Sequence, residues 1–529
     1  MGRQQPVASE HRRQHLGQAV ANVNSGDIVS IQISSDSRLY KYPAREHAAR
    51  VAAALGISRG LIYLPGAKTR LLEDSDQSRP FRQRRYFYYL SGVDEADCYI
   101  TYDVEREDLC LWLPPINPRQ VVWVGRGSTT EEAKDKYDIK TAAYSTVLDS
   151  YLELWSRRDL GDIYVLHPGE TPDVLSECRD TSSTRSELND WELQPAMDRC
   201  RVIKDSFEVD LIKRANAVSA KAHKEVLRHL LKFDNESQVQ ARFLDVCVAH
   251  GAKHQSYDII AGSGENAAIL HYIKNDEKFG NRQLMCLDAG AEWECYASDV
   301  TRTFPLSGTW PSPEAESIYN LVQEMQTVAT YHIGPGKSFV EAHHKAHQVA
   351  VNGLLKLGIL HNGTHEEIYK AGTTLAFFPH GLGHHMGLEV HDVSPTGTIP
   401  LTNAHTDLKS CSEQECAETL PELVGTQWIT YFGQPGIYRA PCHASSPPLQ
   451  PGMVITVEPG IYFNRYALER IFLPDPRFAR YINKEVLERY MPVGGVRIED
   501  NFLVTDKGVQ NLTTAPKGEE ALRVIRGEV

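Results

Sequence analysis

The chain has 529 residues, a length that suggests two to four domains, and its 41% apolar, 24% charged and 9% aromatic content is that of a globular protein. A formal net charge of −13, with no clustered Lys/Arg face, argues against a nucleic-acid partner. The start, MGRQQPVASEHRRQHLGQ, is polar without a secretory h-region, and no apolar run approaches a membrane span. The expectation is a cytoplasmic protein with no membrane partner.

Residues 1–38 are polar without a strong period and predict a loosely ordered extension. AREHAARVAAAL (44–55) has helical spacing, whereas GLIYLPG (60–66) and YFYYLSGV (86–93) read as buried strands. CYITYD (98–103), DLCLWLPP (108–115), VVWVG (121–125) and IYVLHP (163–168) add strands, with a helical STVLDSYLELW (145–155) between them. That alternation predicts an α/β first domain. RQRR at 82–85, the densest basic run, suits a solvated or substrate-facing loop. A polar stretch around 178–198 reads as a linker, and 203–231 as a long amphipathic helix capped by Ser206. Residues 394–449, rich in Thr, Pro, Cys and Glu with weak periodicity, read as an insertion: a lid, a surface loop or a gene-model error.

Chemistry-bearing residues concentrate after the long helix. LDAG (287–290) and SDVTRTFP (298–305) place Asp288 and Asp299 at the mouth of a possible hairpin. A lone strand-end Asp is usually a turn or cap residue, and two of them shift that balance only modestly. PHGLGHHMGLEVHDV (379–393) holds His380, His384, His385 and His391 among Gly381, Gly383 and Gly387, which disfavour a helix and let the backbone pass close to another group. Spacing does not choose a ligand among the four imidazoles. MVITVEPGIYF (453–463) puts Val454, Thr456 and Glu458 on one face of an apolar strand, where a buried carboxylate needs compensation. VRIED (496–500) puts Arg497 and Glu499 on one face, and a plain cross-strand charge pair is the competing reading. Four carboxylates and one imidazole favour Mn²⁺ over Zn²⁺ in a two-cation hydrolase. The ten cysteines show no CxxC pair and read as reduced intracellular thiols; Cys411 and Cys416 are nearest.

Together these blocks, in this order, resemble the proline-specific metallopeptidases, Xaa-Pro aminopeptidase (aminopeptidase P) and prolidase, within the group that also holds methionine aminopeptidase and creatinase. The resemblance runs from about residue 40 to the C-terminus. It implies an α+β protein with a polar extension over 1–38 and a creatinase-type α/β N-terminal domain over 39–195. A pita-bread catalytic domain would follow over 196–529, carrying the insertion at 394–449. It further implies Asp288, Asp299, His384, Glu458 and Glu499 as ligands of two Mn²⁺ per subunit, with Co²⁺ or Zn²⁺ as substitutes, and Glu458 as general base. His271, His380, His391 and Arg497 take substrate-contacting or positioning roles by the same likeness. The implied reaction is hydrolysis of the bond between an N-terminal residue and a following proline in short peptides, by a homo-oligomer of two or four subunits. A dipeptide-only prolidase and a non-catalytic peptide-binding relative are the alternatives.

Overall fold

The computed structural model describes residues 41–158, 160–178, 186–393, 442 and 446–529. The extension over 1–38, the Cys411–Cys416 pair and nearly all of the insertion lie outside these residues. From Tyr42 onward the described chain forms one unit.

Its first part is a six-stranded mixed sheet in the order β4-β3-β2-β1-β5-β6. The strands are β1 (Leu61–Pro65), β2 (Tyr99–Asp103), β3 (Asp108–Leu113), β4 (Thr141–Tyr144), β5 (Ile163–Tyr164) and β6 (Leu188–Asn189). β2 is antiparallel to both β1 and β3, whereas β4, β5 and β6 join in parallel. Helix Ala44–Leu55 forms as its spacing predicts and ends at Gly56, which takes the left-handed conformation at φ 72°.

Three expectations fail here. YFYYLSGV is not a strand: Arg85–Ser91 is a helix with every residue buried. A helix buried all round lacks the polar stripe that would distinguish it from a buried strand. VVWVG is also not a strand; Pro118–Val124 is a helix with Asn117 capping Arg119 N, and none of its residues is buried. Pro118 at its start presets helical φ, which outweighs the β preference of three valines. The stretch read as a linker is partly built into the fold, as β6 and the helix Leu193–Val202.

The long helix is present over Ser206–His229, but its cap is Asp205, not Ser206. Asp205 accepts from Glu208 N while Glu208 reaches back to Asp205 N, a reciprocal cap that outcompetes a serine hydroxyl because both donors are satisfied. It buries Leu211, Ile212, Ala215 and Ala222 as the spacing predicts. The second part then assembles short antiparallel sheets. β7 (His254–Gln255) pairs with β10 (Ala291–Glu292), and β8 (Ile260–Ser263) and β11 (Thr301–Pro305) flank β9 (Leu284–Asp288). β12 (Val454–Val457) and β16 (Gly508–Asn511) flank β15 (Asp500–Thr505), and β13 (Gly460–Tyr462) pairs with β14 (Gly495–Arg497). Helices Pro313–Tyr331 and Phe339–Lys356 pack on these sheets through a core that includes Ile318, Val322, Met325, Ala346 and Ile455. No helix among the described residues is long and apolar enough to cross a membrane.

Candidate metal centre and active site

Strand ends bring the acidic side chains together. Asp288 closes β9 and is register-paired with Thr301 at the start of β11, so Asp299 stands just before the returning strand. Asn501 on β15 pins that turn: its side chain accepts from Asp299 N at 3.1 Å and donates to Asp299 O at 2.6 Å. Glu458 follows the last residue of β12, and Glu499 lies between β14 and β15. Four carboxylates separated by up to 211 positions thus meet in one cavity of about 510 Å³.

The glycine-histidine segment joins through its backbone. Met386 N donates to Val454 O, Thr456 N to His384 O and Glu458 N to Leu382 O, so 382–386 lies along β12 like an added strand. A Cβ on Gly383 would sit 2.2 Å from Thr456 O, which is why glycine stands there. Alternation then sends neighbouring histidines opposite ways. His384 Nε2 lies 3.4 Å from Asp299 Oδ2 and 3.2 Å from Glu458 Oε1. His385 is buried on the other side, near Lys204 and Asp392, and burial together with the Lys204 charge pushes its imidazole down to about 3.

The remaining expected residues line the same cavity: His271, His380, His391 and Arg497. His271 is at its exposed mouth. His380 Nε2 is 2.9 Å from Tyr462 Oη, and the His391 ring meets the His384 ring edge-on at 4.3 Å. The partner of Arg497 is Asp288 (Nη2 to Oδ2, 2.6 Å) and not Glu499, so the simple Arg497–Glu499 charge pair is absent. Both instead converge on Thr301, whose Oγ1 accepts from Arg497 Nε at 3.1 Å and donates to Glu499 Oε2 at 2.8 Å.

Thr301, Asn501, Tyr462 and Tyr257, which donates to Asp288 Oδ1 at 2.5 Å, are site residues that the sequence reading missed. Thr301 and Asn501 lie one strand position pair away from named carboxylates, a hint the parity argument could have extended. Nothing in the local sequence around Tyr257 points to Asp288.

The electrostatics show what the cluster lacks. Burial, together with the Asp299, Glu458 and Asp288 charges, raises the Glu499 carboxyl well above its usual range. Burial also raises Asp288 to about 7, although Arg497 opposes it. For His384 burial acts downward, but its bonds to Asp299 and Glu458 reverse this and hold the imidazole up at about 10. Glu499 Oε1 is buried with no hydrogen-bond partner among the described residues. An oxygen-rich, negatively charged, partly orphaned donor set fits two divalent cations. Donor atoms of Asp299, His384 and Glu499 all lie within 4.8 Å of one another. A similar trio, His47, Asp205 and Glu208, is accounted for by helix capping and by ion pairs with His47 and Arg50.

Comparison with known proteins agrees with this architecture. The model for metallopeptidase family M24 matches residues 210–506, and that for the aminopeptidase P N-terminal domain matches residues 44–164. A probable Xaa-Pro aminopeptidase of Pyrenophora tritici-repentis is 50% identical over 501 residues, covering 94% of this chain and 73% of the relative. One from Aspergillus clavatus is 46% identical over 515 residues, covering 97% and 98%. Among solved structures, zinc-substituted Escherichia coli aminopeptidase P in complex with product superposes with a TM-score of 0.72 at 26% identity, covering 93% of this chain and 100% of that one. Pseudomonas aeruginosa aminopeptidase PepP gives 0.71 at 27%, covering 92% and 99%. With carboxylates and a histidine gathered at strand ends behind an aminopeptidase P-type N-terminal domain, this chain belongs to metallopeptidase family M24.

Proposed function

We propose that the chain is a Xaa-Pro aminopeptidase, hydrolysing the bond between an N-terminal residue and a following proline. The convergence of Asp288, Asp299, His384, Glu458 and Glu499 in one buried cluster carries this reading, together with relatives of that name along nearly the whole chain. Those five residues would hold two divalent cations. With four carboxylates to one imidazole, Mn²⁺ is the metal proposed. Bound there, the cations supply Lewis-acid polarisation of the scissile carbonyl and lower the pKa of a water.

The protein's own groups do the rest. Glu458 accepts from Thr456 Oγ1 at 3.3 Å, which orients its carboxylate to take the proton of the attacking water and deliver it to the departing proline nitrogen. His380 and His391 flank the position of the proline ring, and His271 at the mouth contacts the substrate backbone. Arg497 acts as a positioning residue, holding the Asp288 carboxylate through a buried charge-assisted bond.

The organisation proposed with this activity is an extension over 1–38, an N-terminal domain over 39–195 and a catalytic domain over 196–529. Separate sheets on either side of helix Ser206–His229 support that division. A homo-oligomer fits the exposed Val122, Trp123 and Val124, and a cytoplasmic location fits the free, buried cysteines. Assay of Xaa-Pro against Xaa-Pro-Yaa peptides with added Mn²⁺ tests the function. Turnover of the longer peptides is expected, and turnover of the dipeptide alone would instead identify a prolidase.

A further inference from the structure

His391 lines the catalytic cavity but is exposed among the described residues, so its placement depends on how the backbone around it is anchored. Its neighbour Asp392 is the anchor. The Asp392 side chain is 1% exposed; Arg201 Nη2 donates to its Oδ1 at 2.8 Å and Lys204 Nζ to its Oδ2 at 3.0 Å. Both cations are buried too. Burial acts to raise the Asp392 carboxyl, but the Lys204 and Arg201 charges overcome it and hold it below its usual range. Asp392 N also donates to His385 O at 2.9 Å, the same carbonyl that lies 3.1 Å from His384 Nδ1. One carbonyl thus ties the backbone beside His391 to the ring of His384. Gly387 leaves room for the cluster, because a Cβ there would overlap Asp392 Oδ2 and Lys204 Cε.

The cations come from the chain before the long helix. Arg201 lies in helix Leu193–Val202, and Lys204 directly precedes Asp205, the cap of Ser206–His229. Arg201 also stacks over the Tyr86 ring at 4.5 Å, and Tyr86 Oη donates to the buried Asp198 at 2.7 Å. The RQRR run grips the same loop three residues earlier. Arg82 donates to Glu389 from Nη1 at 3.0 Å and from Nη2 at 2.7 Å, and Arg85 Nε lies 3.4 Å from Glu389 Oε1. Glu389 and Asp392 flank Val390 and His391, both of which line the catalytic cavity, so four cations hold this loop from either side. A buried ion triad contributes little net stability, because desolvating its charges offsets most of their attraction. What it fixes is direction: two cations on two oxygens allow one carboxylate orientation.

Building on the Xaa-Pro aminopeptidase reading, we propose that Asp392, held by Arg201 and Lys204, is a positioning residue that sets the His391 ring against the proline of the substrate. None of the three is among the described residues that line the catalytic cavity, so each acts through His391. The chain that precedes the catalytic sheets thereby contributes to substrate binding, through an ionic clamp closed on the His391 loop.

The test uses the full-length, Mn²⁺-loaded protein and the peptide Ala-Pro-Gly. Asp392→Asn keeps the size of the side chain and removes its charge; kcat/KM should fall about tenfold, carried by KM, with metal content still near two per chain. An enzyme that was only destabilised would lose active fraction, which lowers kcat and leaves KM alone. Lys204→Met leaves the Arg201–Asp392 pair balanced and serves where Asp392→Asn does not fold; a rise of about threefold in KM is expected. Neither substitution should add to the KM of His391→Ala, because the ring they position is gone. An unchanged KM in both variants, an effect that persists in full in the His391→Ala background, or a loss of metal overturns the proposal. A crystal structure of Asp392→Asn reads the same point without turnover. The His391 ring should leave its edge-on place 4.3 Å from the His384 ring, and an unmoved ring also overturns the proposal. Failure of the wild-type protein to cleave any Xaa-Pro peptide would refute the activity, while the ring position would still decide the role of Asp392.

Discussion

The two adjacent histidines, His384 and His385, show how the proposed site depends on single side-chain directions. His384 Nε2 faces Asp299 and Glu458, whereas His385 packs toward Lys204 and Asp392. Asp299→Ala removes a carboxylate at the centre of the proposed ligand set, so metal content should fall well below two per chain and turnover by about a thousandfold or more. Metal analysis and a steady-state assay check this, and a variant that retains both would remove Asp299 from the ligand set. His385→Ala should keep close to two metals per chain, and a loss there would mean that the wrong imidazole was chosen. Thr301, by contrast, has only its strand parity with Asp299 to mark it in the sequence, because threonines on strands are common and its significance lies in touching Arg497 and Glu499 at once.

At the level of elements, the 380–386 segment matters most because it carries His380 and His384 without helix or named strand around it. Its hold on β12 is mostly backbone, through Leu382, His384 and Met386, with the Thr456 hydroxyl also accepting from His384 N at 3.0 Å. Gly383→Ala would place a methyl carbon against Thr456 O and should cost about 1–3 kcal/mol as the segment is pushed away. Activity should fall further than that stability loss accounts for, since Glu458 N is bonded to the same segment. Thermal melts beside kcat measurements check this; a fully active variant would show that the close approach is dispensable. Elsewhere, strands with flanking turns were legible from alternation, as in β2 and β3. The helices Arg85–Ser91 and Pro118–Val124 were misread because short aromatic or β-branched runs suit either element and context decides.

For the whole molecule, buried neutral histidines set an acid limit. Burial, with the Arg302 charge, pushes the His223 imidazole down to about 3; burial, with His344, does the same to His347. Both folded values lie below the unfolded value of about 6.5, so the folded state binds fewer protons than the unfolded one between them. Their contribution is fully present above about pH 6.5 and is lost as pH falls toward 3, at up to about 1.4 kcal/mol per pH unit for each group. Melting temperature should therefore decline steadily below pH 6.5. His223→Gln should flatten that decline by about one proton's worth of slope, as read from melts across pH 5 to 7.5; an unaltered slope would remove His223 as a cause.

By itself, the sequence determined the donor types, their order and the strand ends that carry them, because alternation and turn residues are local properties. It also placed the long helix Ser206–His229 to within three residues at either end, and its composition argued against nucleic-acid partners. Only the tertiary structure decided which groups meet: Asp288 with Arg497 and Tyr257, Glu499 with Thr301, and Arg82 with Glu389 across 307 positions. The reason is physical. A buried carboxylate must find its compensating charge or donor in space, and the fold brings that partner from another strand, often hundreds of residues away.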